Sequence, residues 1–426
     1  MKKKHLQLSA VFAAVYFFSL NGLGALPNIS LNFILKDQLK LGPSQMAYFQ
    51  AITLLAWVVK PLWGFISDSF PVFGTKRKSY LIITSVLAAA SWVVLGTLPV
   101  LTLGSLLLVI SICYMAYAFQ DVVTDGLMID VGKPLNLTGQ FQSVQWCSVY
   151  AAMILTSLCG GALADWGQKG ILPYAKVFLI TAVFPVMTLL LSAFFISEKR
   201  QSRPPAPKSA RAAFFLKKEV WLLSFFLFLW NFSPSFGAPF FYYSVDTLKF
   251  SASFLGILQG ITSVAALTGS ILFGKFIANL PVRKFLIFSV FTGVAMILFT
   301  YVFFIPGLIA NTPLLKAISI VWSFALGILN AVVLLELLNI AAKVSPEEAG
   351  ATAFAFIMSC YNFGLMGSSA LGAFFFPIVG LKLLILLSAV FSLLVLLVMP
   401  ALPVEEELTP LERSIQKIIK PGQEKI

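Results

Sequence analysis

The chain has 426 residues, 59% of them hydrophobic and 11% charged, with a net charge of +13 and a mean hydropathy of +0.92. A soluble domain carries about 25% charged residues, so water is excluded as the main solvent, and the cations lie in short loops between apolar runs, which excludes nucleic acid as their partner. Four cysteines inside apolar runs and a single histidine, His5, offer no metal cluster, disulfide framework or nucleophile–base pair, so no metal, no cofactor and no enzyme activity are expected.

Apolar runs lie at 8–34, 44–67, 80–98, 101–130, 140–164, 174–197, 220–245, 252–277, 284–304, 314–340, 350–375 and 379–401. Most are long enough to cross a ~30 Å hydrocarbon core at about 1.5 Å per residue. They predict an all-α polytopic bundle of about twelve spans in a lipid bilayer. The first run continues through Asn21 and Pro27 without a small-residue cleavage site, so it reads as a retained helix and not as a signal peptide. Twenty-two Lys and Arg fall on one set of alternate loops and seven on the other, with Lys60 inside a span. That excess predicts cytoplasmic termini, and an even number of spans puts both on one side. A bacterial inner membrane and a monomer are the expected setting.

The one long linker, 198–219, is rich in proline and charge and cannot pack a core. It divides the chain into a first half, 1–197, and a second, 220–401, followed by a tail, 402–426. An internal repeat at an offset near 210 supports the division: Asn21 maps onto Asn231, Gln50-Ala-Ile-Thr53 onto Gln259-Gly-Ile-Thr262, and Lys133 onto Lys343. Two six-span halves related in this way place a substrate between them near the midplane.

Charge breaks the symmetry. Lys60, Asp68, Asp121 and Asp125 face Ser270, Ala278, Ala331 and Leu335 in the repeat, and Glu336 faces Gly126. Asp121 and Asp125 are one helical turn apart and share a face. A charge in hydrocarbon costs at least ~2.5–3.5 kcal/mol and seeks a partner, so Lys60 pairs with Asp121 or Asp125, either as a proton- or substrate-linked switch or as a fixed ion pair. Asp130 lies nearer the cytoplasm and joins Asp68 and Arg77 in a gate-locking network.

The first and seventh runs are interrupted by Asn21-Gly-Leu-Gly-Ala-Leu-Pro27 and Asn231-Phe-Ser-Pro-Ser-Phe-Gly-Ala-Pro239. Proline frees a backbone carbonyl that only protein or a wet cavity tolerates, and such paired breaks point to a transport site. Asn21, Asn231, Gln120, Asn330 and Glu336 are candidate polar contacts to a substrate. Tyr117, Trp146, Trp322 and Tyr242 are candidate stacking partners for a flat ligand, or plain packing. Gly160-Gly161 and Gly364-x-x-Gly367 suit close helix packing.

The stretch Lys60-Pro-Leu-Trp-Gly64…Ser67-Asp-Ser-Phe-Pro-x-Phe-Gly74-x-Lys76-Arg-Lys78-Ser-Tyr80 resembles the loop after the second helix in the major facilitator superfamily. In its full length it is similar to the hallmark of the folate–biopterin transporter family, as is Asp121-Val-Val-x-Asp125-Gly126 in the fourth span. The resemblance implies gating by Gly64, Asp68, Gly74, Arg77 and Asp130, and secondary transport of a folate- or biopterin-type pteridine, with protons as coupling partner. A cavity rich in acids and poor in cations also suits S-adenosylmethionine, which some relatives are thought to carry, another nucleoside-like metabolite, or a drug exported by antiport. The absence of a Gly-x4-Gly-Lys-Ser/Thr loop argues against an ATP-driven pump.

Overall fold

Backbone N–H and C=O groups in lipid have no water to bond, so helix is the one local structure that satisfies them within a single segment. The computed structural model describes residues 2–19, 24–132, 135, 137–198, 217–277, 280–344 and 350–402. These are almost wholly helical, and the isolated bridge Val72–Thr75 is the one extended pairing among them. Asn21, Lys133, Ala278, residues 199–216 of the linker and the tail from 403 lie outside the described residues.

Nine helices among the described residues are long and apolar enough to cross a membrane. Two further crossings are broken into shorter rods: Lys2–Ser19 with Ala25–Phe33, and Lys218–Asn231 with Gly237–Asp246. The ninth of the long helices, Phe354–Ala401, holds two crossings, because Gly380 turns the chain at φ 71°, ψ 176°, just after Pro377. The result is twelve crossings, the number expected. Their ends shift from the apolar runs by a few residues: the third is Lys78–Thr97, the fourth Leu103–Gly132, the fifth Thr138–Gln168 and the tenth Thr312–Val344. The loop before the tenth carries an unexpected short helix, Pro306–Ala310.

Local chemistry sets these boundaries. Pro43 opens the second crossing where its missing N–H costs nothing, and the Gln45 side chain accepts from the Gly42 N–H at 2.8 Å. Ser251 caps the eighth crossing, Ala252–Leu272, by accepting from Phe254 N at 3.2 Å. Inside the spans, hydroxyls such as Thr84, Thr124, Thr156 and Thr181 return to the carbonyl four residues back. Large apolar side chains such as Leu108, Phe288, Val321 and Leu397 point outward, fully at home in lipid and not in water.

The break in the seventh crossing is sealed by the eleventh. Ser235 N donates to Ser368 O at 2.9 Å, and Ser368 Oγ donates to Ser233 O at 2.5 Å. The halves meet along the fifth and eighth crossings and along the second and eleventh. At one membrane face, which we call the Lys36 face, the fifth and eighth touch backbone to backbone: a Cβ on Gly161 would lie 2.8 Å from Gly256 Cα, and one on Gly256 2.6 Å from Ser157 O. The packing expected of Gly161, Gly364 and Gly367 is present; the last two admit Phe228 O and the Phe232 ring of the seventh crossing.

Candidate functional site

Apart from Glu336, the buried charges among the described residues gather in the first half. Lys60 Nζ lies 2.5 Å from Asp121 Oδ2, with side chains 13% and 12% exposed, and 4.5 Å from the centre of the Trp57 ring. Of the two partners left open by the sequence, Lys60 therefore pairs with Asp121. Asp125, one turn on, is held differently: its Oδ1 accepts from Tyr16 Oη and from Gln145 Nε2, both at 3.1 Å. The first, second, fourth and fifth crossings thus converge on two carboxylates and one ammonium. Asn362 Nδ2 of the eleventh crossing donates to Trp57 O at 3.3 Å and brings the second half to the edge of this cluster.

A second cluster closes the opposite, Arg77 face. Phe73 and Gly74 form a tight turn with φ 49° and 78°, the left-handed region that glycine enters freely. The turn delivers Arg77 inward, where it is 6% exposed. Its guanidinium donates to Asp68 Oδ1 at 2.8 Å, Ser67 Oγ at 2.9 Å and Asp130 Oδ2 at 3.1 Å. Burial alone lowers its proton affinity, but Asp68 and Asp130 outweigh burial and hold it above the ordinary arginine value. The guanidinium lies flat on Gly126, where a Cβ would sit 2.6 Å from Arg77 Cζ. Gly64, by contrast, has ordinary room, with Val122 at 3.6 Å from an added Cβ. Glu198, at the end of the sixth crossing, accepts from the N–H groups of Lys76, Arg77 and Lys78 at 2.8–3.0 Å, a carboxylate on the positive end of the third helix.

At the Lys36 face the halves are tied together. Lys36 Nζ lies 2.7 Å from Asp246 of the second half and 3.3 Å from Asp37. Burial pulls the Lys36 ammonium down, yet these two carboxylates more than offset it and raise it above its usual value. Tyr242 Oη donates to Leu41 O across the same seam, and Phe241 meets Phe33 edge to face at 5.5 Å. The pairs Lys60–Asp121, Arg77–Asp68 and Arg77–Asp130 each stay within the first half.

Beneath the Lys36–Asp246 tie is a cavity of about 290 Å³ between the first, seventh, eighth, ninth and tenth crossings. Asn32, Phe240, Gln259, Phe303 and Trp322 are among its walls, and none of its lining residues is ionisable. Of the residues the sequence proposed for stacking, Trp322 lines this cavity. Tyr117 is a correction: it is fully buried and accepts from Trp92 Nε1 at 3.1 Å, so its ring is packing against the third crossing. Gln120 is another, with Nε2 donating to Ser85 Oγ at 2.7 Å in that same direction. Asn231 is turned toward Tyr361 O at 3.4 Å, and Glu336 is buried at 3% exposure. Asn330 is exposed one turn beyond Leu326, on the stripe of the tenth crossing that lines the cavity. Tyr16, Gln145, Glu198, Asn32 and Gln259 were not singled out as site residues by the sequence, although Gln259 stood in the repeat opposite Gln50.

Comparison with known proteins fits this architecture. A model of the BT1 family matches residues 21–418. The folate-biopterin transporter of Synechocystis is 30% identical over 82% of this chain and 70% of its own. Folate transporter 2 of Plasmodium falciparum is 25% identical over 93% of this chain and 89% of its own. Among solved structures, the D-xylose–proton symporter superposes with a TM-score of 0.68 at 14% identity, over 94% of this chain and 98% of that one. The nucleoside transporter NupG gives 0.65 at 17% identity over 93% and 98%. These two share the fold of the major facilitator superfamily. With the family model spanning nearly the whole chain and twelve crossings in that arrangement, the protein is a membrane transporter and not an enzyme, and it belongs to the BT1 family, that of the folate–biopterin transporters.

Proposed function

We propose that the chain is a proton-coupled secondary transporter of a folate- or biopterin-type pteridine, working by alternating access as a monomer in a bacterial plasma membrane. One observation carries the coupling: Asp125 sits one turn from the already paired Asp121 and is held by two neutral donors, Tyr16 and Gln145. Two carboxyls and one lysine in a membrane interior leave one negative charge uncompensated, and taking up a proton is the least costly remedy. Lys60, Asp121 and Asp125 are the coupling group on this reading. Arg77 with Asp68 and Asp130 is the gate of the cytoplasmic face, supported by Gly74. The amides Asn231 and Asn330, with Glu336, line the substrate's route on this reading, and Asn21, outside the described residues, is proposed to join them by its place in the repeat.

Both termini and the Arg77 loop face the cytoplasm on this reading, supported by the cation excess on that side. Cysteines at positions 38 and 249, both exposed, should react with an impermeant thiol reagent in intact cells, and one at 205 should not; the reverse pattern sinks the orientation. Coupling is tested by uptake of labelled biopterin and folate into vesicles with and without an acid-outside gradient. Asp125→Asn should abolish gradient-driven accumulation and keep counterflow exchange. If the neutral variants of Asp121 and Asp125 both accumulate substrate like the parent, these acids do not couple transport. A second reading, a cationic nucleoside-like substrate such as S-adenosylmethionine, is favoured by the same acid excess. It wins if that compound is carried and excess pteridine fails to compete.

A further inference from the structure

The charged cluster lies in the first half, whereas the cavity takes most of its wall from the second and holds no ionisable side chain. A ligand in the cavity therefore meets rings and amides. Phe240, Phe303 and Trp322 form one wall, with centroids 5.4–6.2 Å apart and interplanar angles of 55–72°. Phe303 is 1% exposed and backs the wall, whereas Phe240 and Trp322 are only partly buried and offer ring faces for a planar ligand to stack on.

The polar groups in this wall divide into spent and unspent. The hydroxyls of Ser244, Thr262 and Ser319 go to the carbonyl four residues back, and Trp322 Nε1 donates to Met296 O at 3.4 Å. The Gln259 Oε1 atom is buried and has no hydrogen-bond partner among the described residues. A buried acceptor left unpaired costs about 1–3 kcal/mol, which native proteins accept where a ligand completes the bond. Asn32 faces the same space from the first crossing. At about 290 Å³ the cavity falls near the lower end of the roughly 300–1,000 Å³ range of ligand pockets. It suits a bicyclic ring, with any long anionic tail projecting out of it.

We propose that this cavity is the ring-binding site of the transporter and that Gln259 determines its specificity. The carboxamide reads a lactam edge, an adjacent ring N–H and carbonyl, by accepting from the first through Oε1 and donating to the second through Nε2, while the ring stacks on Phe240 and Trp322. Recognition of the uncharged ring then belongs to the second half and proton handling to the first. The assignment rests on the pteridine reading of the substrate, as a lactam-bearing flat heterocycle.

The test is equilibrium binding of labelled biopterin and labelled guanosine, a second lactam heterocycle, to the purified full chain in lipid nanodiscs. Gln259→Leu, close in shape without the amide, should weaken binding at least tenfold, as should Trp322→Ala, while Ile271→Ala on the lipid face should not. To keep the result independent of any misfolded variant, Thr262→Cys in a background with the four native cysteines changed to Ser should be protected from a small thiol reagent by the same ligand. If biopterin binds and these effects appear, both readings stand. Guanosine binding alone, with the same dependence on Gln259, keeps the site and removes pteridines as substrate. If biopterin binds, but Gln259→Leu and Trp322→Ala stay within twofold of the parent and Thr262→Cys is unprotected, the site is refuted and the pteridine reading survives. No binding of either ligand by the parent overturns both.

Discussion

The Gly161–Gly256 contact makes a direct test of how the halves move. A side chain at Gly161 would put Cβ 2.8 Å from Gly256 Cα and 2.9 Å from Ala252 O. Carbon atoms pack at about 3.5–4.0 Å, so the fifth and eighth crossings would have to separate by about 1 Å. Both clashing partners are backbone, and no rotamer change relieves them. Overpacking of this kind costs about 1–3 kcal/mol. The cost falls on the arrangement in which the halves touch at the Lys36 face and vanishes once they rock apart there. A differential of that size shifts a two-state equilibrium about 5- to 150-fold. Gly161→Val should therefore favour opening at the Lys36 face. The assay is the labelling rate of Ser244→Cys, at the cavity below Asp246, by an impermeant reagent applied from that face in a cysteine-free background. The rate should rise at least ~5-fold, while Gly293→Val, whose added Cβ meets nothing within 4 Å, should leave it unchanged. A monodisperse Gly161→Val protein labelled at the parental rate would refute the idea that this seam opens.

Two other outcomes follow from the charged networks. Gly126→Ala should destabilise the protein by about 1–3 kcal/mol by displacing the Arg77 guanidinium, yet cost little when Arg77 is already Ala; thermal unfolding of the double-mutant cycle reads the difference, and additive effects would contradict the contact. The Lys36 ammonium is raised by Asp246 and Asp37, so its contribution to closure is complete below the ordinary lysine range and is lost as pH rises through the raised value. The labelling rate of Ser244→Cys, divided by that in an Asp246→Asn background, should be flat between about pH 7 and about pH 9; a steep change within that window would be inconsistent with this tie.

The fold was legible because lipid leaves the chain so little choice. Twelve apolar runs, paired breaks near Asn21 and Asn231, and the small-residue stripes all carry their meaning in local sequence. The Lys60 partner was legible to within one helical turn because Asp121 and Asp125 share a face. What local sequence does not carry is rotation. A helix apolar on every side has no moment to say which face is inward, so Tyr117 and Gln120 pointed into packing against Trp92 and Ser85 although their types suit a binding site. Glu198 was hidden for a different reason. Its role depends on the end of the sixth crossing meeting the start of the third, more than a hundred residues away. Gln259 matches Gln50 in the repeat, but its unpaired oxygen depends on its neighbours' hydroxyls being occupied, which no local sequence shows.

The outer rod of the seventh crossing, Gly237–Asp246, carries cavity and closure on one body. Phe240, Phe241 and Ser244 face the cavity, while Tyr242 and Asp246 hold Leu41 and Lys36 across the seam. Ten residues of helix are about 15 Å of stiff lever, and the sealed break at Ser233–Ser235 is its fulcrum. A wall drawn in around cargo carries the latch toward closure, and a latch that locks holds the wall around its cargo. By reciprocity the two effects are equal in free energy. With the cavity as the ring-binding site proposed above, occupancy and closure are coupled through one rod, with no relay of side chains needed between them.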